Sequence, residues 1–197
     1  MKLAIIDSGG ANIASVQHAL QRLGAAATFT ADRQVIASAD RVILPGVGAA
    51  GAAMDHLQQQ SLVSCIRGLQ QPVLGICLGM QLLFESSAEN DVDCLGIIPG
   101  RLQHFTAAPG LRVPHMGWNH TRQEQADPLM KGLEQDAWFY FVHSYFAPLG
   151  PHTLASANHG ELFSAVVRKD NFWGAQFHPE RSARAGARLL ENFLELS

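Results

Sequence analysis

A chain of 197 residues, 47% apolar, 16% charged and with a formal net charge of −3, fits one compact domain with a large core and excludes a disordered chain. No run of Lys or Arg suggests a nucleic-acid footprint, and no stretch approaches the ~18 consecutive apolar residues of a membrane span. Met1 to Asp7 turns polar too soon for a signal peptide. Cys65, Cys77 and Cys94 form no CxxC pair and no disulfide framework, and their odd number points to a reducing cytoplasm.

In chain order, Leu3 to Ile6 reads as a buried strand that ends in a turn, Asp7-Ser8-Gly9-Gly10. Asn12 is placed to cap the next helix. There Ile13, Val16, Ala19, Leu20 and Leu23 recur at helical spacing until Gly24. Ala27 to Thr30 and Arg41 to Leu44 read as strands, the latter ending at Pro45-Gly46. A helical stretch follows from Ala50 to Leu69, broken at Ser61. Val73 to Ile76 is a fourth buried strand, and helix formers follow from Met80 to Phe84. This alternation predicts an α/β fold, an open and mostly parallel sheet flanked by helices. The second half differs. Short β-like pieces at Leu95–Phe105, Trp138–Val142, Ala165–Arg168 and Phe172–Phe177 read as antiparallel hairpins added to the sheet. A last helix, Arg184 to Leu194, carries Ala187, Leu190 and Leu194 on one face. No repeat or linker divides the chain, so residues 1–197 form a single domain in this reading.

Gly75-Ile76-Cys77-Leu78-Gly79 sits between a buried strand and a helix, the G-x-nucleophile-x-G pattern of an elbow. Flanking glycines admit the sharp turn. The helix N-terminus favours a thiolate, and the Leu78 amide faces the place where an oxyanion would form. The alternative is a buried structural cysteine. Cys65 and Cys94 lack such a context and read as packing. A nucleophilic Cys needs a base and the base an orienting group. Gln176-Phe177-His178-Pro179-Glu180 offers both. Pro179 biases His178 toward an extended backbone, and residues two apart in an extended segment share a face, so that Glu180 can reach the ring. A solvated turn is the competing reading. The histidines have no metal-ligand spacing, so neither a metal nor an organic cofactor is expected.

Gly75 to Gln81 together with Phe177-His178-Pro179-Glu180 resembles the class I (triad) glutamine amidotransferases, a flavodoxin-like fold, over essentially the whole chain. Two further blocks, Pro114 to Asn119 and Tyr140 to Tyr145, are similar to those of the glutaminase subunits of imidazole glycerol phosphate synthases. The resemblance implies a Cys77-His178-Glu180 triad that releases ammonia from L-glutamine through a γ-glutamyl thioester. It implies an oxyanion site from the Val47 and Leu78 amides, and glutamine held by Gly48, Gln81, Glu89, Ser144 and Tyr145. It further implies delivery of the ammonia to a (β/α)8-barrel cyclase subunit in histidine biosynthesis. His115, Met116, Trp118, Asn119 and Arg181 are then candidates for the docking surface. The first loop departs from the family where Ser8 and Ala11 stand, a change expected to touch partner contacts and not the chemistry.

Gly46-Val47-Gly48-Ala49-Ala50-Gly51 also satisfies G-x-G-x-x-G, which would suggest a dinucleotide site and an oxidoreductase. It follows the third strand instead of the first, and Ser61 to Gln71 supplies no acidic ribose ligand. Its match to the family's oxyanion strand is the better role. A free-standing cysteine amidohydrolase on the same fold is the main alternative, distinguished by full activity without a partner. A catalytically silent regulatory role is disfavoured by the intact triad.

Overall fold

The computed structural model describes residues 1–10 and 13–196. In chain order the elements are β1 (Leu3–Ile6), α1 (Ile13–Arg22), β2 (Ala27–Thr30), α2 (Arg33–Ala37), β3 (Arg41–Leu44), α3 (Ala50–Gln59), α4 (Val63–Arg67), β4 (Val73–Ile76), α5 (Leu78–Gln81), β5 (Phe84–Ser87), β6 (Val92–Asp93), β7 (Ile98–His104), β8 (His115–His120), β9 (Arg122–Gln123), β10 (Trp138–His143), β11 (Tyr145–Phe146), β12 (Thr153–His159), β13 (Glu161–Lys169), β14 (Phe172–Ala175) and α6 (Ala183–Glu195). The main sheet has the order β2-β1-β3-β4-β14-β13-β12-β9. β2, β1, β3, β4 and β14 run parallel, while β13, β12 and β9 continue antiparallel.

β1, β3, β4 and β14 are buried on both faces, which is why they read as apolar runs, while β2 at the sheet edge is largely exposed. In β1, Leu3 and Ile5 enter the core cluster on one side of the sheet, and Ala4 and Ile6 enter the cluster on the other. The helices supply matching stripes, Val16, Ala19 and Leu20 from α1 and Ala50, Ala53, Met54 and Leu57 from α3. The predicted break at Ser61 is real: its φ of 55° interrupts the helix between α3 and α4.

Several expectations are corrected. β14 does not belong to an antiparallel appendage. It pairs parallel with β4 along Val73–Ile76, and only its other edge meets β13 antiparallel. Local sequence describes a strand's faces but not its neighbours. The helix expected from Met80 to Phe84 starts at Leu78 and lasts one turn, and Phe84 already opens β5. The buried face of α6 is centred on Gly186, Leu189, Leu190 and Phe193, with Ala187 and Leu194 only half-buried beside it. Five-residue α2 lies outside the sequence reading, although Asp32 marks its start: Oδ1 accepts from the Gln34 and Val35 amides at 2.7 and 3.3 Å, a cap of about 1 kcal/mol. The proposed cap Asn12 lies outside the described residues.

β8 and β10 form a separate antiparallel ribbon, with Trp118 opposite Tyr140 and His115 opposite His143. Its inner face carries Phe139 and Phe141 into the core. Its outer face leaves Met116, Trp118 and Trp138 64%, 50% and 56% exposed. α6 closes the structure against the Pro179–Arg181 turn. There Gly186 lies so close that a Cβ would collide with the Pro179 carbonyl oxygen. Gly186→Ala is therefore expected to cost about 1–3 kcal/mol as an overpacked contact. Urea unfolding measures this, and an unchanged midpoint would contradict the contact.

Candidate active site

The loops that follow β1, β3, β4 and β14 converge at the C-terminal edge of the parallel sheet, the edge where open α/β folds bind ligands. Cys77 is the residue between β4 and α5, at φ 52° and ψ −110°. Such a conformation is costly for a residue with a side chain and persists only where its surroundings enforce it. They do. The Cys77 amide donates to the Ala175 carbonyl at 2.8 Å. A Cβ on Gly75 would lie 2.7 Å from the Gly79 carbonyl oxygen, and one on Gly79 would collide with the Leu44 carbonyl oxygen. The flanking glycines thus let α5 sit directly on the ends of β3 and β4. As the first helical residue, Leu78 presents an N–H that no helical carbonyl can accept.

His178 leaves β14 with φ −97° and ψ 95°, extended as expected before Pro179. Glu180, however, is not on a continuing strand. Pro179–Arg181 is a 3₁₀ turn, and the turn brings Glu180 Oε1 to 2.8 Å from His178 Nδ1. Ser182 fastens this turn: its Oγ donates to the His178 carbonyl at 2.6 Å and accepts the Tyr140 amide at 2.9 Å. The His178 amide in turn donates to the Tyr140 carbonyl. Burial works against a charged ring at His178. Hydrogen bonds and charge from Cys77 and Glu180 outweigh it and raise the pKa to about 10. The ring therefore carries a proton at neutral pH, with Cys77 on one side and Glu180 on the other.

A cavity of about 330 Å³ opens over these groups, lined by Val47, Gly48, Cys77, Leu78, Gln81, Glu89, Pro114, Val142, His143, Ser144, Tyr145 and His178. Each glutamine-binding candidate from the sequence is there. Glu89 is more than a surface carboxylate: its Oε2 accepts the Ala50 amide at 2.7 Å and so caps α3, which has no capping side chain of its own. Gln81 is held by the Tyr145 carbonyl at 2.9 Å and by Gln176 Oε1 at 3.0 Å. A broader depression of about 680 Å³ beside the ribbon, between Trp118, Trp138, Arg184 and Arg188, is lined by neither cysteine nor histidine.

Gln176 has no role on sequence grounds, yet it is fully buried and its Nε2 lies 3.9 Å from Cys77 Sγ. Its position two residues before His178 is the available signal. Ser8 is the second such residue. Its Oγ donates to the Pro45 carbonyl at 2.8 Å, so the first loop touches the Pro45–Gly48 segment instead of bearing only on a partner. In that segment a Cβ on Gly46 would lie 2.8 Å from the Gly79 amide nitrogen, while Gly51 has open space around it. The first glycine serves the elbow, which removes the dinucleotide reading of the G-x-G-x-x-G loop. His115 is corrected as a docking residue: 5% exposed, it faces inward, and Asn119 turns its amide toward it. Met116, Trp118 and Arg181 remain on the outside, with the Arg181 guanidinium 5.2 Å from the Tyr140 ring centre. Among the described residues no cluster of His, Cys, Asp or Glu could hold a metal ion, and no helix is long and apolar enough to cross a membrane.

Residues 4–196 match the family model described as glutamine amidotransferase class-I. The chain belongs to this family. The amidotransferase is 56% identical over 195 residues to a protein of Xanthomonas campestris pv. campestris (strain 8004) named imidazole glycerol phosphate synthase subunit HisH, covering 99% of this chain and 98% of the relative. It is 52% identical over 195 residues to the protein of that name from Xylella fastidiosa (strain 9a5c), with the same coverage. Among solved structures, one described as a glutamine amidotransferase superposes with a TM-score of 0.76 at 19% identity, covering 99% of this chain and 98% of that one. The structure of PurLQS from Thermotoga maritima gives 0.73 at 18% identity, with 98% and 97% covered. Likeness at that identity speaks for the fold.

The buried histidines of the amidotransferase impose opposite pH dependences. His178, raised from 6.5 to about 10, contributes stability that is complete below pH 6.5 and is lost as the pH climbs toward 10. Burial lowers His143 to about 3, against the hydrogen bond to Tyr145. Burial and the nearby His159 lower His115 to about 4. Their contribution is complete above pH 6.5 and is lost as the pH falls toward those values. Urea unfolding as a function of pH measures both arms. The stability gap between wild type and Glu180→Gln should shrink from neutral pH to about pH 9.5; a constant gap would contradict the assignment to His178.

Proposed function

We infer that this chain is the glutaminase subunit of an imidazole glycerol phosphate synthase in histidine biosynthesis. It hydrolyses glutamine to glutamate and ammonia and passes the ammonia to a (β/α)8-barrel cyclase subunit. The observation that carries this reading is a strained Cys77 elbow facing the His178–Glu180 pair in one cavity, in a chain more than half identical along its whole length to proteins named for that subunit.

The geometry suggests the following course. Sγ of Cys77, its proton held by His178, attacks the side-chain amide carbon of glutamine. The oxyanion develops beside the free Leu78 amide, with a Val47 backbone amide as second donor; one such donor lowers a barrier by about 2.7–4 kcal/mol. His178 gives its proton to the departing nitrogen, so ammonia leaves and a γ-glutamyl thioester remains on Cys77. His178, now neutral, takes a proton from water as the water attacks the thioester, and glutamate leaves. Glu180 keeps the ring in the tautomer that both steps need. Glu89 Oε1, free while Oε2 caps α3, is suited to the substrate ammonium, and Gly48, Gln81, Ser144 and Tyr145 border the same space. No step calls for a metal or an organic cofactor.

The outer face of the β8–β10 ribbon favours a partnered enzyme over a free-standing hydrolase. Met116, Trp118 and Trp138 form an apolar strip with Arg181 at its edge, a composition suited to an interface centre. The deciding assay measures glutaminase activity of the chain alone and in complex with the cyclase and its ligand. Low activity that rises in the complex is expected, and full activity alone would favour the free-standing hydrolase. Cys77→Ala should lose about 10⁴-fold or more in either setting; retained activity would end the reading. Trp118→Ala should weaken cyclase binding about 30-fold, as truncation of a central aromatic anchor does, without altering the melting of the free chain. Titration calorimetry reads the affinity, and an unchanged value would remove the ribbon from the interface. Arg181→Ala is expected to loosen docking or coupling in the same assays.

A further inference from the structure

We propose that His115 and His143 are positioning residues for the glutaminase reaction: one directed hydrogen-bond chain through their rings locks the Tyr145 carbonyl, and with it the Gln81 carboxamide that borders Cys77. Neither ring is used by the chemistry above. Both are buried, and they face each other across the ribbon at a paired position, β8 against β10.

The direction of the chain follows from its two ends, because a backbone carbonyl can only accept. His143 Nδ1 lies 2.8 Å from the Tyr145 carbonyl oxygen, so Nδ1 carries the hydrogen and donates. In a neutral ring Nε2 is then bare and must accept. Opposite it, at 3.0 Å, is His115 Nδ1, which therefore donates. The same rule leaves His115 Nε2 bare. Asn119 Nδ2 stands 3.2 Å away and supplies the hydrogen. The orientation of that amide is fixed independently: Nδ2 also donates to the Asn158 carbonyl at 2.9 Å, and Oδ1 accepts the His120 amide at 2.9 Å. Every polar atom of the two rings is satisfied by one arrangement of protons. A proton added to either ring sets two donors against each other.

The rings are also immobilised sideways. His115 is stacked between His159, with centroids 4.1 Å apart, and Phe141 at 4.9 Å; His143 lies against Phe163 and Phe105 at 5.1 and 5.3 Å. At its inner end the chain meets the pocket. The Tyr145 carbonyl accepts from both His143 Nδ1 and Gln81 Nε2, which occupies both of its lone pairs. Gln81 Nε2 also bonds Gln176 Oε1, which turns the other end of that amide, Nε2, toward Cys77 Sγ. Releasing the carbonyl would free Gln81 first, at the wall of the glutamine cavity, and the nucleophile only indirectly. The expected signature is a change in KM larger than the change in kcat.

Two substitutions separate this role from packing. The amide of Asn reaches the place of the imidazole Nδ1, while that of Gln reaches the place of Nε2, and Gln is closer to His in volume. His143→Gln in the cyclase complex should lower kcat/KM for glutamine about tenfold or more, mainly through KM, as a lost buried partner does. His143→Asn keeps a donor for Tyr145 and should recover most of that loss. Equal impairment of the two, or better activity of His143→Gln, would overturn the proposal. A second readout is independent of activity: imidazole nitrogen NMR of the wild-type chain at neutral pH should find hydrogen on Nδ1 and none on Nε2 in both rings. A hydrogen on His143 Nε2 would overturn the proposal even if the variants fail to fold. The proposal rests on the glutaminase reading. That reading fails separately, if the wild-type complex releases no ammonia from glutamine.

Discussion

The contact on which the rest depends is the seating of the one-turn helix α5 on the ends of β3 and β4. It is made backbone against backbone, with Gly79 at the Leu44 carbonyl and Gly75 beneath Gly79 and Met80. That approach forces the chain to turn at Cys77 into a conformation that costs of order 1–3 kcal/mol. The cost is carried by sheet pairing on both sides of β4, to β3 and to β14. The sulfur is thereby aimed out of the sheet edge, and the helical N–H groups that a longer loop would have satisfied are left facing the same space. The position of the sulfur and that of the first-turn N–H groups follow from one packing constraint.

Around this point the molecule sorts its histidines by partner. His178 has acceptors on both sides and keeps its proton. His115 and His143, buried among aromatic rings, stay neutral. All three are buried: burial keeps His115 and His143 neutral, and at His178 the hydrogen bonds and charge of Cys77 and Glu180 override it. The β8–β10 ribbon separates its two faces just as sharply. Alternation puts Phe139, Phe141 and the two neutral histidines inside, and puts Met116, Trp118 and Trp138 outside. A two-stranded layer thus connects an apolar outer surface to the wall of the cavity over one strand's thickness.

Much of this is legible in the sequence where a residue's role is local. β1, β3 and β4 are marked by apolar runs closed with turn residues, and the elbow by its two glycines. The pairing of His178 with Glu180 is legible too, although the 3₁₀ turn between them is not, because Pro179 constrains its predecessor more clearly than its successor. What cannot be read depends on distant partners. The parallel pairing of β14, the hold of Ser8 on Pro45 and the placement of Gln176 all rest on contacts across tens of residues. The expectation of a surface His115 fails for the same reason: an alternating strand has two faces, and only its partner strand says which one is inside.

β4 and β14 lie side by side, yet Cys77 and Gln176 are 99 positions apart in the chain. Everything from α5 to β13 is threaded between two neighbouring strands. A pairing of such high contact order forms late, after local elements have already condensed. During synthesis the elbow therefore emerges long before His178 and Glu180 do. Cys77 and the His178–Glu180 pair meet only when the last strand docks, so the cavity between them exists only once the sheet is complete.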